Sequence, residues 1–293
     1  MRVFITGATG FIGFPVCQEL IAAGHKVLGL ARSDEGAKQL SSIGVEVHRG
    51  SLHDLDSLKS GAAAADAVIH TAFIHDFSKF EENCQTDRIA IEALGFVLAG
   101  SARPLIVTSG TGGLAAPGTL ATEENVPSPN HRIPRVSEQT AMALLDKGVS
   151  AAVMRLPQVH DPLKQGLVTY AIAVAREKGI SAYVGDGQNR WPAAHVSDVA
   201  KLYRLALEQH EAGAKYHAVG EEGVSMRDIA ESLGRGLNLP VKSLSPEEAQ
   251  AHFGWLAVFA GLDLPASSAL TRKKLGWNPI GPGLIEDLEQ KKY

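Results

Sequence analysis

The chain opens MRVFITGATGFIG over residues 1–13, and this stretch constrains the fold more than any other. Val3, Phe4 and Ile5 are an apolar run of strand type. Gly7, Gly10 and Gly13 follow at three-residue spacing, and an amphipathic stretch from Phe11 to Ala23 begins at once. Strand, glycine turn and helix in immediate succession present a helix N-terminus to a pyrophosphate in a doubly wound sheet. In that arrangement Gly7 allows the tight turn, Gly10 lets phosphates approach the backbone, and Gly13 lets helix and strand pack closely. A plain strand-to-helix turn would not need three glycines. The stretch therefore predicts dinucleotide binding.

Strand and helix patterns alternate through the first half. Strands are expected at Arg2–Thr6, Lys26–Ala31, Val45–His48, Ala67–Thr71, Pro104–Thr108 and Ala151–Arg155. Helical stretches are expected near 11–23, 34–43, 54–60, 78–101 and 136–147. The alternation predicts an α/β fold, a Rossmann-type doubly wound parallel sheet with right-handed crossovers. Beyond residue 156 the pattern loosens. A helix near 163–178 precedes a loop, Val184–His195, rich in Gly, Asp and Asn, and Val196–His210 reads as a helix packed on the sheet. Short helices broken by Pro240, Pro246, Pro265 and Pro279 follow. The expected domains are a dinucleotide-binding domain over 1–156, with 196–215 packing back on it, and a small, mainly helical substrate-binding subdomain over 157–195 and 216–293.

The 293 residues, 45% hydrophobic and 20% charged, are enough for a substantial core. A net charge of −4 argues against nucleic acid or an anionic membrane as the main partner. A small-molecule substrate is expected, and a homodimer stays open. Cys17 and Cys84 suggest neither a disulfide framework nor a zinc site, and the eleven histidines show no metal-binding spacing. No apolar run approaches the ~20 residues of a membrane span. The first strand begins at residue 2, which leaves no room for a signal peptide, so a cytoplasmic location is expected.

Several further segments share a common pattern. TGATGFIG spans residues 6–13. Gly50-Ser51-Leu52-His53-Asp54 follows strand 3, and Asp66-Ala67-Val68-Ile69-His70-Thr71-Ala72 covers strand 4 and its turn. Met154-Arg155-Leu156-Pro157-Gln158-Val159-His160, Val184-Gly185-Asp186-Gly187-Gln188-Asn189, His195-Val196-Ser197-Asp198-Val199-Ala200 and Leu275-Gly276-Trp277-Asn278-Pro279 complete it. Together they resemble the extended short-chain dehydrogenase/reductases, the NAD-dependent epimerase/dehydratase-like family, along nearly the whole chain. The resemblance implies a nicotinamide cofactor. It would be held by Gly7, Thr9, Gly10, Phe11 and Ile12 of the glycine motif, Leu52 beside the adenine, Thr71 and Ala72 after strand 4, and Pro157 under the nicotinamide.

That family's catalytic motif is Tyr-x-x-x-Lys on the helix after strand 5, where the lysine lowers the phenol pKa for proton exchange. Of the tyrosines here, Tyr170, Tyr183, Tyr203 and Tyr216 are followed four places on by Val174, Gly187, Leu207 and Gly220, and Tyr293 ends the chain. By position Pro134 stands for the tyrosine and Glu138 for the lysine. The usual hydroxyl after strand 5 is also blurred, with Gly110 at the aligned position inside Thr108-Ser109-Gly110-Thr111. The chain reads as an atypical member, to which the phenol relay does not carry over.

An NAD-type strand 2 ends with an acid that accepts from the ribose hydroxyls. Here the segment reads Leu28-Gly29-Leu30-Ala31-Arg32-Ser33, with a guanidinium and a hydroxyl where a 2′-phosphate would lie. NADP(H) is the expected cofactor, and Asp34 is expected to cap the next helix.

The cleft of such a fold lies at the carboxyl ends of the strands. Ser109 and Thr111 are expected to hydrogen-bond a carbonyl oxygen, or else to cap the turn after strand 5. His75, beside Asp76, and His131, beside Arg132, are candidate proton donors, against plainer roles in shaping a pocket or lining a surface loop. Phe73, Asp76, His160 and Trp191 are expected on the substrate side, Trp191 as a wall, and His195 at a helix start. Three functions compete. The first is an NADPH-dependent reductase of a small, fairly apolar carbonyl or related unsaturated compound. The others are a non-catalytic NADP-binding sensor or regulator, and a sugar-nucleotide epimerase or dehydratase.

Overall fold

Val3, Phe4 and Ile5 are fully buried in β1 (Arg2–Thr6), as a strand covered on both faces requires. The computed structural model describes residues 1–127 and 134–293. After β1 come α1 (Gly13–Ala22), β2 (Lys26–Ala31), α2 (Asp34–Ser42), β3 (Glu46–Arg49), α3 (Leu55–Ala63) and β4 (Ala67–His70). Next are α4 (Phe80–Leu98), β5 (Ser101–Gly110), α5 (Ser137–Ala143), β6 (Val149–Leu156), β7 (Gln158–His160), α6 (Val168–Lys178), β8 (Ser181–Val184), β9 (Arg190–His195), α7 (Val196–Glu208) and β10 (Lys215–His217). The chain ends with β11 (Glu221–Ser225), α8 (Met226–Leu237), β12 (Val241–Leu244), α9 (Pro246–Phe253), α10 (Ala257–Ala260), α11 (Ala269–Leu275) and α12 (Leu284–Gln290).

The chain divides into two compact units: Met1–Gly110, Asn130–Arg155 and Val199–Tyr216 form one, and Thr111–Pro129, Leu156–Asp198 and His217–Tyr293 the other. Residues 111–127, expected with the dinucleotide domain, therefore belong to the second unit. The reason is backbone pairing far along the chain. Gly118 N–H donates to the Asp263 carbonyl, Ala121 N–H to Pro265, and Ser267 N–H to Ala121.

In the first unit, seven strands form one sheet in the order β10-β6-β5-β4-β1-β2-β3. β1 lies parallel to both β2 and β4, β2 to β3, and β4 to β5. The strand order thus reverses between β1 and β4, and a crevice opens at the carboxyl ends of strands at such a point. Phe4, Leu28, Leu58, Val68, Ile91, Leu94 and Leu105 form part of the core on one face. Both cysteines are buried and free; burial pushes the Cys17 thiol up to about 12 and Cys84 up to about 11.

The second unit adds two small sheets to its helices, β11-β9-β7 and β12-β8. The expected loop Val184–His195 is in fact half strand. Its end, β9, is the central strand of three. The sequence Arg-Trp-Pro-Ala-Ala-His lacks β-branched residues, and Pro192 donates no N–H, so neither propensity nor pattern marks it. Across from it, Trp191 pairs with Val224 and Ala193 with Glu221, so Glu222 and Gly223 bulge opposite Pro192. Among the described residues, no helix is long and apolar enough to cross a membrane.

Glu138, read as a relic of the lysine position, has a structural task. It lies in the first turn of α5, buried, and its carboxylate receives a fork of hydrogen bonds from Arg155 on β6. Arg155 Nε donates to Oε2 at 2.7 Å and an Nη to Oε1 at 2.5 Å, and Arg155 has no exposed surface. Removing one partner strands a buried charge. Glu138→Gln should cost about 3–5 kcal/mol of stability, read from the urea midpoint. A loss within about 0.5 kcal/mol, as at an open surface site, would contradict this role.

Candidate functional site

The turn between β1 and α1 is closed by Gly10 N–H donating to the Gly7 carbonyl at 2.8 Å. Gly7 has φ +70°, and a β-carbon there would stand 2.7 Å from the Ala72 nitrogen. A β-carbon on Gly13 would stand 2.1 Å from the Gly7 oxygen. Gly7 and Gly13 are therefore dictated by the protein's own packing. Gly10 is different: it is exposed, and a β-carbon would meet only the Gly7 oxygen, at 3.1 Å. No side chain caps α1 at Ile12. An open glycine before an uncapped helix N-terminus fits a pyrophosphate, whose oxygens would complete the cap. Thr9 is exposed, while Phe11 and Ile12 are half-buried. Thr71 and Ala72 close the turn from the neighbouring strand: Thr71 Oγ1 donates to the Thr6 carbonyl at 2.8 Å. Leu52 is buried at 9% exposure, beside the Asp54 cap of α3.

At the end of β2 the structure corrects one detail. Ser33, not Asp34, caps α2, its side chain accepting from Gly36 N–H at 3.1 Å. Asp34 instead pairs with Arg49 at the end of β3, and Arg49 also donates to the Ser33 carbonyl at 2.6 Å. Arg49 occupies the acid that could have served a ribose. Arg32 is exposed and has no side-chain partner among the described residues.

At the carboxyl ends of β4 and β5 lies a buried polar chain. His70 Nε2 meets Asp87 Oδ1 at 3.1 Å, and its Nδ1 meets Thr6 Oγ1 at 2.7 Å. Ser137 Oγ donates to Asp87 Oδ2 at 2.5 Å, and Arg135 Nε donates to Ser137 Oγ at 2.8 Å. Burial alone would raise the Asp87 carboxyl; the hydrogen bond and charge of His70, the charge of Arg135 and the Ser137 hydroxyl bring it below its ordinary value. Arg135 also donates to the Thr108 carbonyl at 3.0 Å and lies 4.2 Å over the Phe73 ring. Thr108 Oγ1 meets the Tyr203 hydroxyl at 2.6 Å, and burial drives that phenol well above its usual range. Tyr203 is thus the opposite of an activated phenol.

Neither His70, Asp87, Ser137 and Arg135 nor Arg49 stood out in the sequence. One signal was available. Cys84, Asp87, Ile91 and Leu94 share the buried stripe of α4 at helical spacing, and an acid on such a stripe needs a partner.

The expected catalytic groups do not gather as one set. Ser109 sits half-buried near the end of β5, with no side-chain partner among the described residues. Thr111 belongs to the second unit, buried, with its N–H donating to the Leu156 carbonyl at 3.1 Å and its hydroxyl turned to the same atom. His75 is exposed and touches Phe73 edge-on at 5.2 Å. Asp76 caps a short turn, accepting from Ser78 N–H and Oγ at 3.0 and 2.6 Å, which lowers its pKa. His131 and Arg132 lie outside the described residues.

In the second unit, Pro157 is half-buried beside β7. Trp191 is a core side chain rather than a wall: it is 1% exposed, and its indole N–H donates to the Phe259 carbonyl at 3.3 Å. His160 is likewise enclosed, its Nδ1 2.6 Å from Asp287 Oδ2 on α12. His195 begins α7 as expected, its Nδ1 2.8 Å from Ser197 Oγ. Among the described residues, no three His, Cys, Asp or Glu side chains gather as a metal site.

This geometry, a doubly wound parallel sheet with a glycine turn between β1 and α1, defines a fold of the Rossmann class. Residues 3–220 match the NAD dependent epimerase/dehydratase family, and the chain belongs to it. It is 48% identical over 296 residues to an uncharacterized protein of Schizosaccharomyces pombe, covering all of both chains. It is 25% identical to the 2-alkyl-3-oxoalkanoate reductase of Stenotrophomonas maltophilia, over 82% of this chain and 77% of that one. In fold it resembles Thermus thermophilus UDP-glucose 4-epimerase in complex with NAD, with TM-score 0.76, 20% identity, and 99% and 97% of the two chains covered.

Burial pulls the His160 pKa below its ordinary 6.5, outweighing the hydrogen bond and charge of Asp287 and the charge of Glu221; His195 adds to the lowering. The folded state therefore holds this ring neutral where the unfolded chain protonates it. The stabilising difference is present above pH 6.5 and is lost as pH falls toward the folded value. Thermal unfolding in a pH series should show the midpoint falling below that pH, and falling less steeply in His160→Gln. Equal slopes in both proteins would contradict the assignment.

Proposed function

We propose that the protein is an NADPH-dependent reductase of a small, fairly apolar carbonyl or related unsaturated compound, working without the Tyr/Lys relay. The observation that carries this reading is the pairing of an open phosphate turn with an unpartnered guanidinium at the end of β2. Gly10 is exposed before an uncapped helix, and Arg32 is exposed with no partner among the described residues. Arg32 and Ser33 would hold a 2′-phosphate through charge-assisted hydrogen bonds. The nearby acid, Asp34, is engaged by Arg49. The 2-alkyl-3-oxoalkanoate reductase relationship supports carbonyl reduction as the chemistry.

When bound, the dihydronicotinamide supplies a hydride. The chain's own residues position the reactants and manage charge. Gly7, Gly10 and the α1 N-terminus would seat the pyrophosphate, and Thr71 and Ala72 border that seat. Ser109, near the end of β5, would donate a hydrogen bond to the carbonyl oxygen. Hydride transfer depends mainly on such positioning, so loss of a phenol acid does not remove the reaction.

Fluorescence titration tests the cofactor assignment. Wild-type protein should bind NADPH more tightly than NADH. Arg32→Ala should weaken NADPH binding by roughly 1.5–3 kcal/mol and leave NADH nearly unchanged. Gly10→Val should abolish both while circular dichroism stays native, because the branched β-carbon intrudes on the phosphates. Equal wild-type affinities would remove the NADP(H) assignment. NADPH binding without turnover on aldehydes, ketones, enones and imines would favour a sensor.

A further inference from the structure

We infer that Arg135 is a catalytic residue of this protein, the donor that holds the substrate's carbonyl oxygen as it gains negative charge. The inference rests on the reductase reading above. Its basis is the way the guanidinium is held. Nε is committed to Ser137 at 2.8 Å and one Nη to the Thr108 carbonyl at 3.0 Å. The plane packs over Phe73 at 4.2 Å. Phe73 follows β4 and Thr108 belongs to β5, so the group is pinned at the carboxyl ends of two adjacent strands. A doubly wound sheet places its reactants there.

A guanidinium carries five N–H bonds. Two are used, and the other three have no partner among the described residues. Arg135 is half-buried, so this is not a mobile surface cation. The chain behind it points every donor the same way. Ser137 donates to Asp87, and Asp87 also takes His70, whose second nitrogen is satisfied by Thr6. Ser137 is therefore left to accept from Arg135, and the fork cannot rotate without breaking a buried network. A fixed fork of donors in a partly dry site stabilises developing charge without reorganising.

The position also has a chemical logic. Arg135 directly follows Pro134, which stands where the family's tyrosine would. The site thus replaces a proton-donating phenol by a donor that keeps its proton. As hydride reaches the carbonyl carbon, a C–H bond forms and the C=O π pair moves onto oxygen. The alkoxide is held by the Arg135 N–H groups and takes its proton from water, because a guanidinium stays charged throughout. Ser137, Asp87 and His70 are positioning residues: they act through Arg135.

The test uses full-length wild type, Arg135→Ala, Arg135→Lys and Ser137→Ala, with NADPH and the best ketone from a screen. Arg135→Ala should lose kcat by roughly 100- to 1,000-fold, with NADPH affinity by fluorescence titration unchanged. Added methylguanidinium should restore part of that kcat and leave wild type unaffected. Arg135→Lys keeps the charge but not the fork, and should also lose kcat. Ser137→Ala should lose less. If Arg135→Ala does not fold, Arg135→Lys decides: wild-type kcat in that variant overturns the role. Wild-type kcat in a folded Arg135→Ala overturns it while leaving the reductase reading standing. Lost kcat with weakened NADPH binding and no rescue marks a clamp and overturns it too. If wild type binds NADPH but reduces no carbonyl, the reductase reading falls and this role with it.

Discussion

The α1 helix crosses the end of β1 so closely that a β-carbon on Gly13 would stand 2.1 Å from the Gly7 carbonyl oxygen. That approach sets where the helix begins, and with it where the uncapped N-terminus points. Gly7, in the left-handed region at φ +70°, turns the chain sharply enough to allow it. The turn then rests against Thr71 and Ala72 of the neighbouring strand. Everything proposed for cofactor binding depends on this contact. Gly10 is the least crowded of the three, since a β-carbon there would meet only the Gly7 oxygen, at 3.1 Å.

Two arginines bind side chains in the first turn of α5. Arg155, fully buried, is neutralised by Glu138 and ties α5 to β6. Arg135 is held by Ser137, the residue directly before Glu138, and through it by Asp87 and His70. The acid at position 138 thus serves as the buried counter-ion of Arg155, and Arg135, the proposed oxyanion donor, directly follows Pro134. Tyr203 cannot substitute, because burial raises its phenol instead of lowering it.

Much of the first unit was legible in the sequence. β1 and β2 run over the residues their apolar patterns mark, and the glycine spacing marks the tight turn between β1 and α1. Elements whose signal is non-local were harder. β9 has little strand propensity beyond Trp191, and it lies between β7 and β11. Residues 111–127 join the second unit through pairings with residues 263–267. At the site, Ser33 and Asp34 are both good caps, and only the folded contacts, Gly36 N–H to Ser33 Oγ and Arg49 to Asp34, show which is used. Trp191 and His160 read as pocket residues by type, but the core of the second unit encloses them. Arg135 carries no motif; the role proposed for it comes from three partners, Phe73, Thr108 and Ser137, that lie far apart in the sequence.

Transfer of a label tests the central claim most directly. NADPH deuterated at C4 of the nicotinamide, in each of its two stereochemical forms, would be incubated with the protein and a small ketone, and the product analysed by mass spectrometry. The account predicts an alcohol carrying one deuterium on the carbinol carbon from one labelled form and none from the other. Tight NADPH binding with no deuterium in any product from either form would contradict it.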